Sequence, residues 1–140
     1  MADGVEVKLW KAVRAALIAD ATVSGFVGTR VHDRPPPEVT FPYVKAGEFE
    51  AGPWHDHDDR GHEIDFGIDL HTRPGARVGS TQAKNLGNAI MDVLDRNAAG
   101  LTVAGYQVYD ILFLLSTPLD GGKNTDSGKR LVFRARLCTT

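Results

Sequence analysis

The feature that most constrains the fold of this chain is the alternating stretch at residues 62–71. Four hydrophobic residues alternate there with acidic residues and a glycine: Ile64, Phe66, Ile68 and Leu70 against Glu63, Asp65, Gly67 and Asp69. Successive side chains of a β-strand point to opposite faces, whereas a helix would scatter these hydrophobic residues around its circumference. The stretch therefore predicts a long central strand with one apolar and one acidic face.

The composition limits the classes of protein to which this chain can belong. The chain has 140 residues, of which 42% are hydrophobic and 24% charged, and this size and composition predict one globular domain over residues 1–140. Its net charge of −2 argues against a broad basic surface for nucleic acid. A single cysteine, Cys138, allows no intrachain disulfide. Because we find neither an apolar run of about 18 residues nor a signal-peptide pattern, we expect a soluble cytoplasmic protein without a membrane partner.

Hydrophobic periodicity predicts two main helices. Apolar residues recur at three- and four-residue steps over residues 3–19 and again over residues 80–96. A shorter helical turn follows the first helix at residues 20–28.

Strands account for most of the remaining chain. Besides residues 62–71, strands are predicted at 41–46, 106–116 and 129–137, with short extended pieces from residue 31 and at 101–103. Loops are predicted at 48–61, 72–79 and 117–128. Since loops join neighbouring strands, the fold class is α+β: a single two-layer domain whose mostly antiparallel sheet carries the two main helices on one face.

The strand at 106–116 is apolar on both faces. A strand in a two-layer fold needs only one buried face, so the second face is a candidate subunit interface. Strict alternation assigns three residues to that outer face: Val108, Leu112 and Leu114.

Opposite charges lie on two different strands. Glu63, Asp65 and Asp69 share one strand, and the other carries three arginines: Arg130, Arg134 and Arg136. If the strands are adjacent, the charges can pair across the ladder for about 0.2–1 kcal/mol per pair. If the strands are separated, an acidic and a basic edge could join identical subunits head-to-tail.

The loop at 48–61 contains the residues best suited to bind a metal. Imidazole and carboxylate groups suit zinc and other transition metals, and the candidate ligands are His55, His57, Asp59 and His62. Nothing elsewhere in the sequence completes a tetrahedral site, so a solvated loop is the simpler interpretation. A metal-dependent enzyme or metal-binding module is the alternative function that this loop would support.

Other catalytic and cofactor motifs are missing from the sequence. We find no phosphate-binding loop, dinucleotide-binding glycine fingerprint, Cys-x-x-Cys pair or nucleophile elbow. We therefore expect no catalytic residues and no cofactor.

The order of several short segments resembles a phage tail-completion family. The N-terminal part of the resemblance is Leu9 to Leu17, then Gly28-Thr29-Arg30-Val31-His32-Asp33, and then the prolines 35–37 leading to Phe41-Pro42-Tyr43-Val44. The remainder is the strand that begins at Gly61-His62-Glu63, the helix after Gly79, and the closing run from Arg130 to Arg136. The resemblance spans nearly the whole chain.

That family resembles the tail terminators of long flexible-tailed phages and of gene transfer agents. The resemblance implies a structural α+β subunit that forms a ring, expected to be hexameric, at the head-proximal end of the tail tube. The ring would stop tube polymerisation and join the tail to the head, so the expected partners are other copies of the chain, the tail tube protein and the head–tail connector. The resemblance implies no metal, cofactor or catalytic residue. It also implies assembly in the host cytoplasm and a final location in the neck of the virion or phage-like particle. A head-side connector or neck protein is the alternative within this class.

The expected ring suggests two functional surfaces, one for contacts and one lining the lumen. The outer face of strand 106–116 and the three arginines, Arg130, Arg134 and Arg136, are expected to contact other subunits or the tube. Acidic residues are expected to line the lumen, where negative charge would let DNA pass without sticking: Asp56, Asp58 and Asp59, or Glu63, Asp65 and Asp69.

Overall fold

In the residues that the structure describes, three α-helices and five strands form the fold. The structure, a computed structural model, describes residues 3–54, 61–72, 77–120 and 127–140. The helices are α1 (Val5–Ala19), α2 (Ala21–Val27) and α3 (Arg77–Leu94), and a short 3-10 helix follows at Ala98–Gly100. The strands are β1 (Val31–His32), β2 (Tyr43–Trp54), β3 (Gly61–Thr72), β4 (Tyr106–Asp120) and β5 (Ser127–Thr139). The predicted α+β class is confirmed.

The strands form one five-stranded sheet in the order β1-β2-β3-β5-β4. β1 pairs with β2 in parallel, and every other neighbouring pair is antiparallel. The alternating stretch from the sequence is β3, which lies between β2 and β5 in the middle of the sheet. None of the helices in the described residues is long and apolar enough to cross a membrane.

The helices cover the face of the sheet that carries the core, here called the inner face. α1 buries Leu9, Trp10, Val13 and Leu17, and α2 begins where the Asp20 side chain accepts a hydrogen bond from the Val23 backbone N–H at 2.9 Å. α3 lies against β3 and β5 through an apolar stripe of its own: Ala83, Leu86, Ala89, Ile90 and Leu94. This leaves the opposite, outer face of the sheet without a covering layer in the described residues.

An aromatic row crosses the inner face along one line of the sheet register. Four phenylalanines occupy it, one from each of the four long strands: Phe49, Phe66, Phe133 and Phe113. The rings of Phe49 and Phe66 stack at 5.2 Å, those of Phe66 and Phe133 at 5.6 Å, and Phe113 meets Phe133 edge-on at 5.6 Å. Such offset and edge-to-face contacts stabilise a core beyond simple area burial.

The predicted loop at 48–61 is wrong over its first half, because β2 runs on to Trp54. A register shift between Ala46 and Phe49 marks a bulge in β2, which interrupts the simple alternation. β1 pairs only with Val44 and Lys45, so Pro53 lies on a stretch of β2 that is a sheet edge in the described residues, where a missing N–H is tolerated.

Three predictions near β4 also differ from the structure. Residues 101–103 do not form a strand; they follow the 3-10 helix, and only Val103 makes an isolated bridge, with Tyr106. β4 does not alternate strictly, because its register against β5 shifts between Val108 and Asp110 and again between Phe113 and Leu115. The predicted loop at 117–128 is also shorter than expected, because β4 continues to Asp120 and β5 starts at Ser127.

Candidate interaction surface

A ladder of ion pairs runs along the outer face between β3 and β5. Because these strands are adjacent, each of the three arginines lies opposite one of the three acidic residues: Arg136 opposite Glu63, Arg134 opposite Asp65 and Arg130 opposite Asp69. The charges are therefore paired within one subunit. The alternative with separate acidic and basic edges on these strands is wrong.

The Arg130–Asp69 pair is the most buried of the ladder. Arg130 donates from Nε to Asp69 Oδ1 at 2.7 Å and from Nη2 to Oδ2 at 2.9 Å, and the Asp69 side chain is only 5% exposed. The hydrogen bond to Asp69 raises the pKa of Arg130, although burial opposes this effect. A raised pKa stabilises the fold at all pH values below the unfolded-state pKa of the group, and this contribution is lost only at strongly alkaline pH.

Arg134 and Arg136 extend the ladder toward the other end of β5. Hydrogen bonds to Asp65 and Glu63 raise the pKa of Arg134 and Arg136, respectively. Arg136 also lies 3.4 Å from Asp110 of β4. The ladder therefore links three strands.

Beside the ladder, β4 exposes apolar side chains on the outer face. These residues, here called the β4 stripe, are Tyr109, Leu112, Leu114 and Leu115. Tyr109 is 60% exposed, Leu115 49% and Leu114 41%, which are high values for large hydrophobic side chains. Val108, expected on this face, instead pairs with Leu137 and packs against the core, because the first bulge shifts the alternation.

Trp54 connects the acidic side of the sheet to the β4 stripe. Its ring lies 5.0 Å from that of Tyr109, and the Arg136 guanidinium carbon lies 5.7 Å from the Trp54 ring centre. Gly61 makes room for it, since a Cβ there would meet Trp54 Cε3 at 3.1 Å. The sequence interpretation missed this contact because it placed Trp54 in a loop, although a glycine at a strand position is a known sign of close approach.

A small cavity opens on the outer face beside Gly67. It has a volume of about 220 Å³ and is lined by Glu48, Glu50, Asp65, Arg130 and Val132 as well as Phe66 and Gly67. Neither Glu48 nor Glu50 takes part in an ion pair within the described residues, and both are exposed. Besides the hydrogen bond to Asp69, which contributes most, the charge of Glu48 also raises the pKa of Arg130, so this glutamate is partly balanced by the ladder.

The metal hypothesis concerns a different part of the chain. His55, Asp56, His57, Asp58 and Asp59 lie outside the described residues. His62 is on β3, with its ring 5.7 Å from that of Tyr106. Within the ranges that the structure describes, no three His, Cys, Asp or Glu side chains come together as a metal site.

Comparison with known proteins assigns the family. Residues 11–137 match the family "Tail completion protein gp17". A chain of the virion of a native gene transfer agent (GTA) particle has the same fold with a TM-score of 0.83 and 28% sequence identity, and the alignment covers 98% of this chain and 99% of that one. No curated protein matches significantly. This chain belongs to the tail completion protein gp17 family and is a structural protein of a phage-type tail.

Proposed function

We propose that this chain is a tail terminator, which forms a ring on the head-proximal end of the tail tube, stops tube polymerisation and joins the tail to the head. The observation that supports this most is the likeness to the virion chain, which extends over almost the full length of both chains. A protein of this kind acts by contact alone, so its function depends on surfaces rather than on a catalytic site.

The outer face of the sheet supplies a suitable contact surface. A ring of identical subunits needs two different surfaces that complement each other, because each subunit meets one neighbour on either side. The β4 stripe and Trp54 provide apolar and aromatic side chains, which are enriched at the energetically important centres of interfaces. We infer that this surface is buried in the assembled tail.

In this proposal, the three arginines of the ladder also contact a neighbouring subunit or the tube. Arg134 uses Nε and Nη2 to bind Asp65, so Nη1 has no hydrogen bond to any described residue. A guanidinium group offers five donors, and those not used inside the subunit are available to a neighbour or to the tube.

The ion pairs affect which acidic residues could supply negative charge at the lumen. Glu63, Asp65 and Asp69 each bind an arginine, so they contribute little net negative charge to a surface facing DNA. Their position at the lumen, and that of Asp56, Asp58 and Asp59, stays a prediction. Glu48 and Glu50 are glutamates of this face that form no ion pair in the described residues, although Glu48 acts on Arg130 and Lys45 lies on the same face opposite Asp69.

Tube assembly in the presence of the chain tests the proposal. The tail tube protein of the same particle is allowed to polymerise with substoichiometric amounts of this chain, and tube length and end structure are measured by electron microscopy. A terminator shortens the tubes and leaves a ring at one end. Tubes of unchanged length and without bound protein would contradict the proposal.

Native mass spectrometry completes this test. Over a range of concentrations it reports the number of subunits and any bound metal together. We expect a metal-free assembly of ring size, either alone or with tube protein. A monomer or dimer that retains stoichiometric metal would instead favour the metal-binding alternative, and binding to the purified connector without binding to the tube would favour a head-side neck protein.

A further inference from the structure

A trough crosses the outer face of the sheet at the row occupied by Gly67, Val132 and Leu115. These three residues pair in sequence from β3 through β5 to β4. The Arg134–Asp65 and Arg130–Asp69 pairs lie two residues to either side of Gly67 along β3. Gly67 has no side chain and Val132 a short one, and the cavity beside them shows that this row is lower than its flanks, although the Arg130 side chain leans over Gly67.

The dimensions of the trough fit an α-helix. Its flanks are four residues apart on β3, from Asp65 to Asp69, which corresponds to about 14 Å at roughly 3.4 Å per residue. A helix with its side chains is about 10–12 Å wide. Since this distance of about 14 Å is measured between backbone positions, one helix can lie across the strands in close contact with the side chains of both ion pairs.

The chemistry of the trough changes from one end to the other. At the β4 end, Leu115 is half exposed and apolar. At the β2 end, the trough opens into the cavity bordered by Glu48 and Glu50. The matching helix would present an apolar side chain first and basic side chains one and two turns later.

Helix α1 has such a face. Val7, Lys11 and Arg14 are exposed and follow the i, i+4, i+7 spacing that places side chains on one side of a helix. Arg14 already donates from Nε to the Val31 carbonyl oxygen at 2.8 Å, so only its Nη atoms are offered to a neighbour. Outside the β4 stripe, Val7 is the one large hydrophobic side chain exposed in the described residues. α3 does not offer this pattern, since its most exposed described residues are polar: Thr81, Lys84, Asn85, Asn88 and Asp92.

We propose that α1 of one copy lies in the trough of the next copy, with Val7 on Leu115 and Val132 and with Lys11 and Arg14 directed toward Glu48 and Glu50. One helical turn rises about 5.4 Å and neighbouring strands are about 4.8 Å apart, so each turn of the helix lies over about one strand. Lys11 would exchange its pairing with Asp3, an exposed ion pair of the kind that contributes little.

This contact deepens the proposed function and rests on it. Helix and trough are different surfaces of the same chain, so the contact is head-to-tail and can close into a ring. It also places Asp65 and Asp69 beside a neighbouring subunit, which is an alternative to a position in the lumen.

Filling the trough provides the first test. A Cβ at Gly67 would meet the Arg130 side chain at 3.5 Å, an ordinary contact, and the longer side chain of Gly67→Leu has to push this flexible arginine aside. Gly52→Leu is the matched control, because Gly52 lies on the same face opposite Glu63 and has open space around it. We expect Gly67→Leu to weaken self-association about tenfold or more, as blocking a central interface contact does, and Gly52→Leu to leave it unchanged.

Thermal unfolding of both variants is measured alongside association. This separates a blocked contact from a misfolded subunit. Equal association of both variants and the unchanged chain would overturn the proposal.

Disulfide formation between copies provides the second test. In a Cys138→Ser background, a Val7→Cys variant is mixed with a Leu115→Cys variant, with and without tail tube protein, so that any disulfide-linked heterodimer must join two copies. The control mixture pairs Val7→Cys with Asn88→Cys. We expect oxidation to link positions 7 and 115 far more efficiently than positions 7 and 88.

The outcomes distinguish this inference from the proposed function. Rings that form without the link between positions 7 and 115 overturn the contact but leave the terminator proposal intact. Absence of the link in a chain that stays monomeric, with and without tube protein, overturns the contact as well. Tubes that are neither capped nor shortened by this chain overturn the terminator proposal itself.

Discussion

Arg134 binds Asp65 across β5 and β3 through two parallel hydrogen bonds, from Nε to Oδ1 at 2.7 Å and from Nη2 to Oδ2 at 3.0 Å. This two-point geometry fixes the guanidinium plane against the sheet. The two side chains are 35% and 34% exposed, so water still screens the pair. The ion pair therefore orders the outer face more than it stabilises the fold.

The first prediction concerns the strength of this pair. A double-mutant cycle with Arg134→Ala and Asp65→Ala should give a coupling energy of about 0.5–1 kcal/mol, because the pair is partly solvated. Urea unfolding of the four proteins measures it. A coupling near zero would show that the pair is not formed in solution.

The second prediction concerns the buried pair. Arg130→Leu should destabilise the fold by about 3 kcal/mol, because it leaves the almost fully buried Asp69 carboxylate without its partner. The double variant Asp69→Leu/Arg130→Leu should recover part of this loss, since two apolar side chains leave no buried charge. A double variant less stable than Arg130→Leu alone would contradict this explanation, and urea unfolding again provides the comparison.

The strands and helices that the sequence predicts best are those whose pattern is set by burial on one face. β3 follows the predicted strand at 62–71 closely, because every second residue is packed under the helices. Likewise, the apolar stripe of α3 is visible in the sequence, although the helix begins at Arg77 rather than residue 80. The metal-loop residues His55 to Asp59 lie outside the described part and are not tested.

Non-local pairing and bulges explain what the sequence could not predict. Whether Arg134 faces Asp65 depends on the adjacency of β3 and β5, which are separated along the chain by α3 and β4. Local periodicity contains no information on that pairing. The bulges in β4 reverse the side to which Val108 points, because a single extra residue shifts the period-two pattern.

The third prediction tests the close approach at the bulge of β2. A Cβ at Gly47 would lie 2.9 Å from the Gly67 carbonyl oxygen, a backbone atom that cannot rotate away. Gly47→Ala should therefore destabilise the fold by roughly 1–3 kcal/mol, as overpacking does. Gly52→Ala, whose Cβ meets nothing within 4 Å, is the control and should stay close to the unchanged protein. Thermal unfolding measures both, and equal stability of the two variants would argue against the tight contact.

The fourth prediction separates the core from the proposed interface with two aromatic residues. Phe133 is fully buried in the aromatic row between Phe66 and Phe113, so Phe133→Ala should lower the free energy of unfolding by about 3–5 kcal/mol through the lost ring and the cavity it leaves. Tyr109 is mostly exposed, so Tyr109→Ala should change that free energy by no more than about 0.5 kcal/mol.

Tube capping, in contrast, should depend on Tyr109. Tyr109→Ala removes the aromatic centre of the β4 stripe and its contact with Trp54, and it should reduce tube capping in the assembly assay while the subunit stays folded. Circular dichroism and urea unfolding establish the fold, and electron microscopy of tube ends measures capping. A Tyr109→Ala variant that caps tubes as well as the unchanged chain would show that the stripe lies outside the contact.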